Sequence, residues 1–133
     1  MKKDLMLYVH IPYCVKKCNY CDFLSFADDG NIDRYMNALI SDPVGKIPGE
    51  DKINTDEYNI SSVFIGGGTP SLIDSAYIVR LIDKLKNIYE FKDEAEITIE
   101  ANPGTLTLEK LISYRKAGIN RLSIGVQSLM TMS

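Results

Sequence analysis

Four short, β-prone apolar runs alternate along this chain with segments of helical periodicity, and that alternation limits the fold more than any other feature. Residues 4–12 read as a first strand. Ile32, Tyr35, Met36, Leu39 and Ile40 recur at helical spacing over residues 32–41. Residues 61–65 form a short buried-strand run, stopped by Gly66-Gly67-Gly68. Residues 73–89 are the clearest helix, with Ile78, Leu81, Ile82, Leu85 and Ile88 on one apolar stripe. Residues 97–100 make a third strand, ended by Asn102-Pro103-Gly104. Thr107 then opens a capped helix that finishes at Ala117, with Gly118 as its C-cap. Residues 121–126 make a fourth strand. A βαβαβαβ order of this kind predicts an α/β fold with parallel strands joined by crossover helices. Strands so enclosed are expected to be buried on both faces, which suits their apolar runs.

Every motif with polar or glycine chemistry falls at the C-terminal end of a strand. A cysteine-rich loop follows strand one and the triple glycine follows strand two. Glu100 ends strand three and Gln127 ends strand four. In (β/α) barrels that rim carries the active site.

The cysteine loop makes the strongest chemical statement. Cys14, Cys18 and Cys21 are the only 3 cysteines of the chain, spaced C-x3-C-x2-C. Four thiolates would close a metal site; three leave one position open for chemistry. A disulfide with a spare thiol fits poorly, because no secretory signal precedes the motif; Asp4, His10 and Pro12 break any apolar stretch there. A structural zinc site takes four ligands, usually in two separated pairs, and only His10 could join the cysteines as a fourth. Three clustered thiolates with no partner pair suit an iron–sulfur cluster better.

Composition narrows the classes further. The 133 residues are one domain's length, and 45% hydrophobic residues can build a core. The formal charge of -3, from 15 basic and 18 acidic residues, argues against a dedicated nucleic-acid partner. No run approaches the roughly 18 apolar residues of a membrane span. Free cysteines without an export signal point to a reducing cytoplasm.

Two stretches fit the alternation badly. Residues 41–52 hold Pro43, Gly45, Pro48 and Gly49, which end the first helix and predict a surface loop running on to about Tyr58. Residues 129–133 follow the fourth strand with no helix to cover it, so an uncovered face and an unpaired edge are expected there, as in a truncated chain.

The motifs together resemble the radical S-adenosylmethionine (SAM) superfamily, and within it the oxygen-independent coproporphyrinogen III oxidase-like group, especially its heme chaperone (HemW-like) branch. The resemblance rests on Tyr8-Val9-His10-Ile11-Pro12-Tyr13-Cys14, on Phe64-Ile65-Gly66-Gly67-Gly68-Thr69-Pro70-Ser71, on Ile97-Thr98-Ile99-Glu100-Ala101-Asn102-Pro103-Gly104, and on Arg121-Leu122-Ser123-Ile124-Gly125-Val126-Gln127-Ser128. Four motifs in order over nearly the whole chain are specific; the cysteines alone would indicate only the superfamily.

The resemblance implies a partial (β/α) barrel of the radical-SAM type, truncated after about three and a half βα units, with residues 1–133 as the N-terminal part of the core domain. It implies a [4Fe-4S] cluster on Cys14, Cys18 and Cys21, whose open iron binds SAM and whose electron yields a 5′-deoxyadenosyl radical. By matching position, Tyr8, Tyr20, Gly67, Gly68, Thr69, Glu100 and Gln127 are implied SAM contacts. Read without the resemblance, Tyr8 and His10 are also ordinary strand-packing residues, the glycines a tight βα turn, and Glu100 a solvated rim charge. Pro70 suits a helix start, and Lys16 and Lys17 read as solvated loop charges.

For the intact protein the resemblance implies heme binding and transfer to an acceptor, such as a membrane respiratory enzyme, with flavodoxin or ferredoxin as reductant. The rival activity is oxidative decarboxylation of coproporphyrinogen III to protoporphyrinogen IX. The oxidases of this group carry a further cysteine two residues after the third ligand, where this chain has Phe23. That departure favours the chaperone branch. A third reading is an inert fragment with a zinc-scavenging thiol cluster.

Overall fold

A computed structural model describes residues 2–13, 29–43 and 54–124. Four strands, β1 (Lys3–Ile11), β2 (Tyr58–Gly67), β3 (Glu90–Ala101) and β4 (Arg121–Ile124), form one sheet in the order β1-β2-β3-β4. Every pairing is parallel. Helix α1 (Asp29–Ser41) precedes β2, α2 (Ser75–Ile88) links β2 to β3, and α3 (Leu108–Ala117) links β3 to β4.

The strand order never reverses, so the sheet is wound in one direction. All three helices share one apolar core with one face of the sheet. Val9 and Ile11 of β1, Val63 and Ile65 of β2, and Ile97 and Ile99 of β3 meet Met36 and Ile40 of α1, Ile78, Leu81, Ile82 and Leu85 of α2, and Tyr114 of α3. One-way winding with helices on a single face is barrel geometry; a doubly wound sheet would reverse and carry helices on both sides. The chain is therefore an α/β protein whose sheet is an open section of a parallel barrel.

The expectation that the strands are buried on both faces is overturned among the described residues. Alternation along β1 puts Met6 at 77% and Tyr8 at 59% exposure, with His10 exposed beside them. Their register partners Ser62, Phe64 and Gly66 share that face of β2. The apolar runs of the strands fill the helix side; the opposite side holds Met6 with aromatic and polar residues, among which Thr98 is buried.

Element boundaries follow local chemistry. In α2, Asp74 accepts a hydrogen bond from the Ala76 amide at 3.0 Å, so the helix begins two residues later than the apolar stripe suggests. Ile78, Leu81, Ile82 and Leu85 are buried while Ile88 is only half-buried. Each fully buried side chain of this size stabilises by about 1.5–3 kcal/mol. Thr107 caps α3 through the Lys110 amide at 3.1 Å, and Gly118 ends it at φ +113°, as its sequence predicts. Helix α1 starts three residues before the predicted Ile32 and ends at Ser41, ahead of Pro43. Residues 44–53 of the predicted loop lie outside the described residues; Thr55–Glu57 form a 3₁₀ turn capped by Asn54.

Two strands are longer than predicted. Gly66 and Gly67 do not stop β2 but pair with His10 and Ile11. β3 begins at Glu90: its charged first half pairs with the start of β2, and across the sheet's N-terminal end Lys92 pairs with Asp4 at 3.1 Å and Lys2 with Glu90 at 3.0 Å. Between its two paired stretches the register jumps, from Ile60 opposite Phe91 to Ser62 opposite Glu96.

β4 is the outer strand among the described residues. Leu122 and Ile124 on its helix side, with Leu108, Leu111 and Ile112 of α3, are exposed; residues 129–133, expected to leave it uncovered, lie outside the described residues. Asn120 pins its start: its side-chain oxygen accepts from the Ile97 amide and its side-chain nitrogen donates to the Ala95 carbonyl, both at 2.9 Å.

Candidate functional site

The loop after β2 crosses the C-terminal rim of the sheet and is tied to the strands on both sides. Toward β1, the Gly68 amide donates to the Ile11 carbonyl at 2.8 Å and the Thr69 amide donates to the Tyr13 carbonyl at 2.5 Å. Toward β3, the Gly67 amide donates to Oε1 of Glu100 at 2.9 Å. Tyr13, whose carbonyl holds the glycine loop, immediately precedes Cys14 in the sequence.

The loop needs glycine for reasons visible at each position. Gly67 sits at φ +114°, where a side chain is strained, and a Cβ there would lie 2.6 Å from Nδ1 of His10 and 2.9 Å from the Ile11 carbonyl oxygen. A Cβ on Gly66 would lie 2.4 Å from Oε1 of Glu100. The absence of side chains lets the carboxylate and the imidazole close on the backbone. Thr69 is half-buried and its side chain does not cap the following turn; Pro70 opens a 3₁₀ turn, Pro70–Leu72, rather than α2 itself.

Tyr8 is no core residue. Its ring lies on the uncovered face, stacked on Phe64 with centroids 6.2 Å apart and planes 15° from parallel. Its hydroxyl meets Nδ1 of His10 at 3.2 Å. His10 is likewise exposed, while its carbonyl accepts from the Tyr35 hydroxyl at 2.5 Å, tying α1 to the end of β1. Tyr13 packs edge-on against Tyr35, and burial pushes the phenols of both upward.

A second set of contacts joins the loop after β2 to the loop after β3. Ser71 is fully buried; its hydroxyl accepts from the Asn102 amide at 3.0 Å and meets the Thr105 hydroxyl at 2.5 Å. The ammonium of Lys110 donates to the Ser71 carbonyl at 2.6 Å and to the Thr105 carbonyl at 3.0 Å. Burial pushes the Lys110 amine below its ordinary range, while Asp74 acts in the opposite sense. Sequence reasoning missed Lys110, Thr105 and the junction they form, since its partners lie up to 39 residues apart and only the fold brings them together.

The structure thus gathers Tyr8, Gly67, Gly68, Thr69 and Glu100 at one rim. Cys14, Cys18, Cys21, Tyr20 and Gln127, with residues 125–126 of the predicted fourth strand, lie outside the described residues.

The family model of the radical SAM superfamily matches residues 8–130. The chain belongs to the radical SAM superfamily. Within the superfamily it is similar to the heme chaperone HemW of Buchnera aphidicola, with 44% identity over 126 residues, covering 93% of this chain and 32% of the relative. The heme chaperone HemW of Escherichia coli is 43% identical over 126 residues, with the same 93% and 32% coverage. Among solved structures, the radical SAM enzyme coproporphyrinogen III oxidase (HemN) of Escherichia coli superposes with a TM-score of 0.75 at 33% identity, over 99% of this chain and 31% of that one. The chain spans about a third of the length of these curated relatives.

Membership in this superfamily implies a [4Fe-4S] cluster and SAM. The described rim suits such a ligand on its own chemistry. Backbone is exposed at Gly67, the Glu100 carboxylate stands beside it, an aromatic pair lies on the adjoining face, and three thiols follow Tyr13 in the chain. No helix among the described residues is long and apolar enough to cross a membrane.

Proposed function

We propose that this chain is the N-terminal part of the radical SAM core domain of a heme chaperone. In this reading Cys14, Cys18 and Cys21 hold the [4Fe-4S] cluster, and Tyr8, Tyr20, Gly67, Gly68, Thr69, Glu100 and Gln127 hold SAM. The observation that carries it is the glycine loop tied across the rim between Ile11, Tyr13 and Glu100, one residue from the start of the cysteine segment. When bound, the cluster and SAM supply a one-electron cleavage of the sulfonium carbon–sulfur bond. The chain's own part is positioning. Gly67 and Gly68 offer backbone at close range, the Glu100 carboxylate fixes the Gly67 amide and favours a cationic ligand nearby, and Tyr8 presents a flat apolar ring.

Heme as the cargo of the intact protein rests on the two chaperone relatives and on Phe23 in place of the further cysteine expected of the oxidases. Transfer would go to an acceptor such as a respiratory enzyme, with flavodoxin or ferredoxin as electron donor. In this reading three ligand thiols call for a reducing compartment such as the cytoplasm. The likeness to HemN keeps one rival in view, decarboxylation of coproporphyrinogen III.

The test is anaerobic reconstitution with iron and sulfide, followed by EPR of the reduced protein with and without SAM, and then heme or porphyrinogen addition. The expected result is a cluster signal that shifts on adding SAM, with stable heme binding and no porphyrinogen consumed. Porphyrinogen consumption with 5′-deoxyadenosine formed would make the protein the oxidase. Zinc without sulfide in the metal analysis would sink the cluster assignment.

A further inference from the structure

We infer that Lys110 is a positioning residue for the rim, clamping the loop after β2 to the loop after β3 and so holding the glycine loop against Glu100. The inference rests on the SAM-site reading above. Lys110 stands in the first turn of α3, fixed there by the Thr107 cap on its own amide. From that point its side chain reaches away from the helix to two carbonyls on two different loops, Ser71 at 2.6 Å and Thr105 at 3.0 Å. An apolar side chain of that length could satisfy neither acceptor, and a carboxylate would repel them. The ammonium offers three donors and no acceptor, and bonds from a charged donor are the strong ones.

The clamp sits close to the site along the chain. Ser71 follows Gly68 by three residues and Asn102 follows Glu100 by two. The two loops therefore touch twice: at Gly67 and Glu100 through one hydrogen bond, and at Ser71, Asn102, Thr105 and Lys110 through several. The second junction is part-buried around the fully buried Ser71, and the first is exposed. A single exposed hydrogen bond is a weak tether, so the larger junction reinforces the spacing that β2–β3 pairing sets at Ile65 and Ile99 and steadies the Gly67–Glu100 contact. Lys86 supplies a matched comparison. It too donates to a backbone carbonyl, Ala117 at 2.9 Å, but at the other end of α3 and away from the rim.

The experiment compares Lys110→Met, Thr105→Val and Lys86→Met with the unaltered protein after anaerobic reconstitution. SAM affinity is read from the EPR shift, cluster loading from iron content and folding from the thermal midpoint. Lys110→Met should keep its iron while its Kd for SAM rises about tenfold. Thr105→Val, which removes only the hydroxyl at the junction, should raise it about threefold, and it carries the test if Lys110→Met does not fold. Lys86→Met should lower the thermal midpoint and leave the SAM Kd within twofold. A folded Lys110→Met or Thr105→Val with unchanged SAM Kd overturns the inference, as does a Lys86→Met variant that weakens SAM as much as Lys110→Met. If the unaltered protein loads its cluster but shows no response to SAM, the site reading itself fails and the inference with it.

Discussion

Tyr114 shows how a single residue can be set by the fold and not by its neighbours in sequence. It lies on α3, buried in the shared core, and its hydroxyl has no hydrogen-bond partner among the described residues. Burial, with the Asp74 charge adding to it, pushes the phenol up to about 12. In the unfolded chain the same phenol titrates near 10. Below pH 10 both states keep the proton and nothing changes. From about pH 10 to 12 the unfolded state loses it first, so stability falls as pH rises, by at most about 1.4 kcal/mol per pH unit. Tyr114→Phe removes this component and, having no hydrogen bond to lose, should cost under about 1 kcal/mol at pH 7. Urea denaturation of both proteins at pH 9 and pH 11 checks it: the difference between them should shift in favour of Phe at the higher pH. At this scale the sequence was partly legible. Glu100 could be placed at a strand end because an apolar run stops at it. Its bond to Gly67 could not, nor could the hold of Asn120 on β3, because each joins elements far apart in the chain.

Among elements, the two positive-φ glycines have opposite functions although their backbones are alike. Gly67 at +114° and Gly118 at +113° both occupy conformations that favour glycine. An added Cβ on Gly118 meets first the Nζ of Lys86, the far end of a flexible chain. On Gly67 it meets the exposed His10 ring and the Ile11 backbone carbonyl, and the carbonyl cannot move without disturbing β1. Gly118→Ala should therefore cost about 1 kcal/mol, the ordinary penalty of a left-handed position, and Gly67→Ala about 2–3 kcal/mol. Equal losses of thermal stability in the two variants would show that the contact at the β1 edge is slack. The helices were read closely from sequence because their caps are local: Thr107, Gly118 and Pro43 act within a turn of themselves. The strands were read short because pairing is not local. A glycine pair looks like a stop until β1 is beside it, and the charged start of β3 looks like a loop until Lys92 finds Asp4.

For the whole molecule, the shared apolar core and the candidate site fall on different parts of the sheet. The helix-covered face holds the shared apolar core, and the rim holds the loops. The order of strands and helices made the parallel, one-way sheet legible, since alternation leaves few other topologies. That one face lies open was not legible, because apolar runs look alike whether one or both of their faces are covered. The separation has a consequence for the cysteines. Among the described residues the core is continuous through β1, β2, β3 and the three helices. If the cysteines hold a cluster as proposed, its loss should leave this sheet folded. Cys14→Ala should bring iron and sulfide to background while the far-UV circular dichroism stays that of the unaltered protein and the thermal midpoint falls by only a few degrees. Collapse of the secondary structure together with the iron would mean that the metal is a folding element of this chain, as in small zinc domains whose binding energy is their folding energy. Retention of the iron in the variant would mean that Cys14 is no ligand at all.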